Sequence, residues 1–109
     1  MQTYYYVLAS QAFLIDEEPL EEVLQERTRN YAERGKQLDF WLVPQPAFLE
    51  SPELAAVRAN CPQPAAAVIS TDEKFIMWLK LRLEFVITGK FDAPSETIPD
   101  PLASLSSVS

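Results

Sequence analysis

The sequence predicts an α+β domain, a sheet of three to four mostly antiparallel strands flanked by helices and followed by an extended tail. Three observations carry that expectation. Residues 4–9, 38–43 and 65–70 are short runs, apolar throughout or alternating with the period of two that marks strands. Between and after them lie stretches whose apolar residues recur every three or four positions, opened by capping residues and closed by glycine or asparagine. No pattern repeats at 20 to 50 residues, which excludes a solenoid or propeller.

The chain has 109 residues, 48% of them hydrophobic. A chain of this length buries roughly 65% of its unfolded surface, enough for one core without staples. One domain over residues 1–105 is expected, with 106–109 a frayed terminus.

The first strand, residues 4–9, places Tyr4, Tyr6 and Leu8 on one face and Tyr5, Val7 and Ala9 on the other. Being apolar on both faces, it belongs at the centre of the sheet. Asp16 is positioned to cap a helix whose first turn holds Glu17, Glu18 and Pro19 and whose last holds Arg34 before Gly35, an order of charge that suits the helix dipole. Leu20, Val23, Leu24 and Tyr31 mark its buried stripe; Glu21, Glu22, Glu26, Arg29 and Glu33 mark a solvated face.

In the second strand, residues 38–43, Leu38, Phe40 and Leu42 alternate with Asp39, Trp41 and Val43, and Pro44 and Pro46 end it. Asp39 is the odd member, facing solvent, a cation such as Arg82, or a partner. Residues near Phe48 are candidates for an extra strand. Ser51 with Pro52 opens a short helix toward Asn60. Residues 65–70, rich in alanine, form the third strand.

Ser70 and Glu73 have capping-box spacing, so a helix of about 18 residues is expected to run from there to Gly89, roughly 27 Å long. Phe75, Ile76, Leu79, Leu83, Val86 and Ile87 share one arc; Met77, Trp78, Leu81 and Phe85 form a second apolar arc, so part of this helix awaits a partner. Alternation of Leu81, Leu83, Phe85 and Ile87 with Arg82, Glu84 and Val86 is the competing strand signal. Arg82 projects between Trp78 and Val86, from apolar surface. It is a snorkelling side chain, one member of an ion pair, or a contact residue for a partner. The last segment, with Pro94, Pro99 and Pro101, is read as a tail anchored by Ile98, Leu102 and Leu105, with one helical turn opened by Asp100 and Pro101.

Sixteen acidic and nine basic residues leave a net charge of −7, so nucleic acid and anionic lipid are not expected partners. No apolar run is long enough to span a bilayer, and the first residues, lacking a basic start and an apolar core, are not expected to be a targeting peptide. There is no histidine, and two glycines cannot build a phosphate loop. Cys61 is the only cysteine, without a histidine to activate it, and is expected to be a small buried side chain. No catalytic residue, metal ligand or cofactor is assigned.

The strings TYYYVLAS at 3–10, DFW at 39–41, QPAFLE at 45–50, LKLRLEFV at 79–86 and IPDPLASL at 98–105 resemble one family, that of the hypothetical chloroplast open reading frame (ycf) number fifty-four. The likeness runs in order from Thr3 to about Leu105. It implies an antiparallel sheet flanked by helices and a non-catalytic accessory or assembly factor in chlorophyll biosynthesis. The implied partner is the di-iron subunit of the aerobic magnesium-protoporphyrin IX monomethyl ester cyclase. The family's proposed partner surface carries over to Asp39, Phe40 and Arg82, with Trp78 as a neighbour. The resemblance further implies a cyanobacterial cytoplasm or plastid stroma, peripheral to thylakoids through the partner. Two alternatives stand beside this: a module presenting a tetrapyrrole intermediate on the aromatic surface of Tyr4 to Tyr6 or Trp41, and a homodimer through the long helix.

Overall fold

The computed structural model describes residues 1–17 and 20–105. Strand β1 (Gln2–Ser10) is followed by a π-helical turn (Ala12–Glu17), helix α1 (Leu20–Glu33) and strand β2 (Phe40–Pro44). Two 3₁₀ turns (Ala47–Glu50 and Pro52–Leu54) lead into the short α2 (Ala55–Ala59). Strand β3 (Ala65–Ser70), helix α3 (Glu73–Leu83) and strand β4 (Ile87–Ala93) complete the body. Among the described residues the strands form one four-stranded sheet in the order β2-β3-β1-β4, every pair antiparallel. The expected fold class is the one observed, and β1 lies inside the sheet as its two apolar faces require.

Both faces of the sheet are covered. On one, Val7, Ala9, Phe40, Ala66 and Val68 pack against Leu20, Leu24 and Tyr31 of α1 and Phe75, Ile76, Leu79 and Leu83 of α3. On the other, Tyr6, Leu8, Val43, Ala67, Ile69 and Phe91 meet Phe48, Leu49, Leu54 and Ile98. The alternation in β1 and β2 thus assigns their side chains to the two cores as the period of two demands. Small side chains suit β3, which is buried along its whole length between neighbours on both sides.

The long helix is shorter than its sequence suggests. Ser70 remains the last residue of β3, where its hydroxyl donates to the Asp39 carbonyl (2.8 Å) and accepts from the Asp72 amide (2.9 Å). Asp72 therefore takes the capping role, its Oδ1 accepting from the Lys74 amide at 3.0 Å. At the other end Glu84 adopts φ 63°, breaking the helix, and Lys80 Nζ donates to the Val86 carbonyl beyond the turn at 3.1 Å. The chain then enters β4, the fourth strand, within the stretch expected to be helix and tail; the residues near Phe48, read as candidates for an extra strand, form a 3₁₀ turn at 47–50 instead. Gly89 sits within β4 opposite Tyr6, not at a helix end.

The first helix also begins differently. Asp16 lies inside the π-helical turn, and α1 is regular from Leu20; the expected first-turn residues Glu18 and Pro19 lie outside the described residues. Its stop at Gly35 is as anticipated, although the helix ends at Glu33 and Arg34 falls just outside its last turn. Gly35 has φ 66°, the Lys36 amide reaches back to the Tyr31 carbonyl (2.8 Å) and the Gly35 amide to that of Ala32 (3.2 Å), a Schellman closure.

Ser51 and Pro52 open their turn in the anticipated order, although the Ser51 hydroxyl makes no capping bond. The tail is tied down through Leu105. Ile98 is buried, the Ala47 amide bonds the Ala103 carbonyl (2.8 Å) and the Leu105 amide bonds that of Gln45 (2.7 Å). Leu105 holds by its backbone; its side chain is 52% exposed, so it is not the apolar anchor expected. The expectation of a frayed terminus at 106–109 lies outside the described residues.

Candidate functional site

Helices α1 and α3 lie on the same face of the sheet and leave an open groove of about 420 Å³ between them. Glu22, Val23, Glu26, Arg27 and Asn30 line it from α1, and Phe75, Trp78 and Arg82 from α3. Spacing explains the set. Residues 75, 78 and 82 follow one another at three and four positions, so they share a helix face.

Arg82 is exposed, its guanidinium centre 5.8 Å from the centroid of the Trp78 ring. Among the described residues no carboxylate comes within ion-pairing distance of it. Trp78 is 48% exposed and stacks on Phe75, with centroids 6.1 Å apart and planes 18° off parallel. Around them Met77 (51%), Leu81 (77%) and Phe85 (82%) stand in solvent. The second apolar arc is therefore the exposed one. Met77, Trp78 and Leu81 share helix α3, and Phe85 follows just beyond its end.

Asp39 belongs to a different set of contacts. Its Oδ1 accepts from the Tyr31 hydroxyl at 3.0 Å, and its Oδ2 lies 3.9 Å from Lys36 Nζ. The ion pair imagined between Asp39 and Arg82 is not formed; Lys36, three residues earlier, is the cation beside Asp39. Phe40 is 4% exposed, its ring 5.4 Å from Tyr31 edge-on and 5.5 Å from Phe75. Phe40 thus holds up the site from beneath rather than presenting itself at the surface.

The residue joining the two halves is Arg27. Its guanidinium lies 3.9 Å from the Phe75 centroid, and Nη2 donates to Tyr31 Oη (2.6 Å) and Asp72 Oδ2 (3.3 Å). One arginine therefore connects α1, the start of β2 through Tyr31 and Asp39, and the cap of α3. Its Nε is buried without a hydrogen-bond partner among the described residues. Arg27 is not among the residues the sequence singles out, yet it sits on the apolar stripe of α1, with Leu20, Leu24 and Tyr31 at spacings of three and four. A lone cation at a stripe position was the available signal.

Among the described residues no group of three or more acidic or cysteine side chains could hold a metal ion. Cys61 is buried, and burial pushes its thiol above the ordinary value, away from the thiolate a nucleophile needs. Tyr6, at the centre of the second core, is 1% exposed and contacts Phe48 and Phe91. Tyr4 is half-buried, stacked on Phe91 at 5.7 Å and 6.4 Å from Trp41.

The fold and groove define a small open-sheet α+β domain that exposes an arginine–tryptophan pair between two helices. Residues 2–93 match the model of the Ycf54 protein family, and the chain belongs to that family. The Ycf54-like protein of Synechocystis sp. is 62% identical over 105 residues, covering 96% of this chain and 79% of that one. The chloroplastic YCF54 protein of Arabidopsis thaliana is 37% identical over 102 residues, 93% of this chain and 46% of that one. Among solved structures, a protein from Nostoc sp. PCC 7120 shares 72% identity and superposes with a TM-score of 0.95, covering 96% of this chain and 97% of that one. The Ycf54 protein from Synechocystis sp. PCC 6803 does so at 61% identity and a TM-score of 0.94, covering 96% and 98%.

Proposed function

We propose that this protein is a non-catalytic accessory factor that binds the di-iron subunit of the magnesium-protoporphyrin IX monomethyl ester oxidative cyclase and supports its assembly. The observation that carries the reading is Arg82, an exposed guanidinium over Trp78 with no carboxylate partner among the described residues, set in an exposed apolar face. Arginine beside tryptophan at the centre of an apolar patch is the composition of an interface hot spot. Covering Leu81 or Phe85 alone is worth about 1.5–3 kcal/mol each. Membership of the Ycf54 family, which spans cyanobacterial and chloroplast proteins, agrees with a role in chlorophyll synthesis.

In this reading Arg82 and Trp78 touch the partner, Asp39 borders the surface, and Phe40 supports it from the core. No helix among the described residues is long and apolar enough to cross a membrane. In this reading contact with thylakoids runs through the partner. The alternative of tetrapyrrole presentation draws less support, because Tyr6 is committed to the core and Tyr4 and Trp41 pack on neighbours. Affinity capture tests the main reading: tagged wild type retains the di-iron subunit, and a folded Arg82→Ala variant retains much less. Full recovery with the variant refutes it.

A further inference from the structure

The groove between α1 and α3 has a charge pattern that restricts what can fill it. Arg82 on one wall has no carboxylate partner among the described residues, whereas Arg27 on the other wall is already paired to Asp72 at 3.3 Å. On the facing wall stand Glu22, without an ion-pairing cation among the described residues, and Glu26, paired only to exposed Arg29 at 3.5 Å. Anything that fills the groove takes these charges out of water. A desolvated charge without a counter-charge costs several kcal/mol, on the order of the gain from covering two apolar side chains.

The exposed surface of α3 adds a shape constraint. Met77 and Leu81 are one turn apart, as are Trp78 and Arg82, which gives two parallel ridges of the spacing that accepts another helix. Anionic lipid and nucleic acid are excluded by the glutamates along α1. A second copy of this chain brings another −7 of net charge to the contact.

We infer that the groove seats an amphipathic helix of a protein partner. Its apolar row covers Met77, Trp78 and Leu81, a carboxylate on it meets Arg82, and a lysine or arginine meets Glu22 and Glu26. The inference rests on the partner-binding reading above and specifies the chemistry of the segment bound.

The test uses overlapping 20-residue peptides tiled across the di-iron subunit, together with the intact subunit, each probed with full-length wild type, Arg82→Glu and Glu22→Lys. Thermal melting establishes that both variants fold. The retained peptides are expected to carry apolar residues at positions i, i+3 or i+4 and i+7, with an acid beside that row. Arg82→Glu weakens them at least tenfold, and replacing the peptide's acid by lysine recovers the loss. Glu22→Lys weakens the same peptides and is recovered by exchanging their basic residue for glutamate. Retention of peptides without this pattern, or indifference to both charge reversals, overturns the inference. Capture of the intact subunit with no peptide bound overturns the continuous helix while leaving the accessory role standing. Failure to capture the intact subunit refutes both. A concentration-dependent dimer that quenches Trp78 replaces the partner helix with a second copy and also overturns it.

Discussion

Replacing Gly89 by alanine probes the packing of the second core and the placement of β4. Gly89 faces Tyr6 across the β1–β4 pair, and a Cβ there would fall 2.7 Å from Tyr6 Cζ and 3.1 Å from Cε2, well inside van der Waals contact. The ring has little room to yield, since it is 1% exposed and lies 5.2 Å from Phe48 and 6.1 Å from Phe91, centroid to centroid. Overpacking of this kind costs about 1–3 kcal/mol, offset by about 0.4–1 kcal/mol because alanine restricts the unfolded chain. The net loss is centred near about 1.3 kcal/mol with an upper bound of about 2.6 kcal/mol, which at roughly 2.1 cal/mol/K per residue lowers the melting temperature by about 6 °C. Thermal melts followed by circular dichroism measure it. In a Tyr6→Leu background the same substitution should cost less, a coupling that a double-mutant cycle reads directly. A Gly89→Ala protein that melts at or above wild type, or equal costs in both backgrounds, refutes the close approach.

Other consequences are open to the same kind of measurement. Phe40→Ala removes a ring that is 4% exposed and should cost about 3–5 kcal/mol in urea denaturation, so loss of partner binding in that variant reports support rather than contact. Arg27→Met keeps apolar bulk over Phe75 but removes the guanidinium that donates to Tyr31 and Asp72, leaving the Tyr31 hydroxyl only the Lys36 donor at 3.4 Å; a loss of about 1–3 kcal/mol is expected, and an unchanged urea midpoint would contradict its connecting role. Burial raises the Tyr6 phenol above its ordinary 10.0, so its neutral form is favoured by folding. That contribution is present below pH 10.0 and is lost as pH rises through the raised folded value. Stability should therefore fall above the ordinary tyrosine range, and Tyr6→Phe should flatten that fall.

The strands with unbroken alternation or uniform burial were legible in the sequence, because a period of two leaves only the choice of face. Phe40 and Trp41 went to opposite cores as their positions required. The region after Leu81 was harder, since LRLEFVI satisfies both helix and strand periods and the decision falls to Glu84, a residue with no intrinsic preference for φ 63°. Gly89 then misled, because a glycine after an amphipathic run reads as a helix stop when its reason is a tyrosine ring on another strand. The cap moved from Ser70 to Asp72 for a similar cause: the Ser70 hydroxyl is engaged by Asp39 and Asp72 backbone groups. At the site, Arg82 and Trp78 were visible as polar and aromatic outliers on a helix face. Arg27 left only the trace of a lone cation on an apolar stripe, and its role could not be read from that because it depends on Asp72, 45 residues away.

The most direct measurement is the dissociation constant between the di-iron cyclase subunit and this protein, wild type and Arg82→Ala, with melting temperatures recorded for both. Because Arg82 is exposed and forms no ion pair among the described residues, its truncation should change stability by less than about 0.5 kcal/mol. The partner-binding account predicts that the dissociation constant rises at least about tenfold, the loss of more than about 1.4 kcal/mol that marks a hot-spot arginine. A folded Arg82→Ala protein that binds the subunit with unaltered affinity contradicts it.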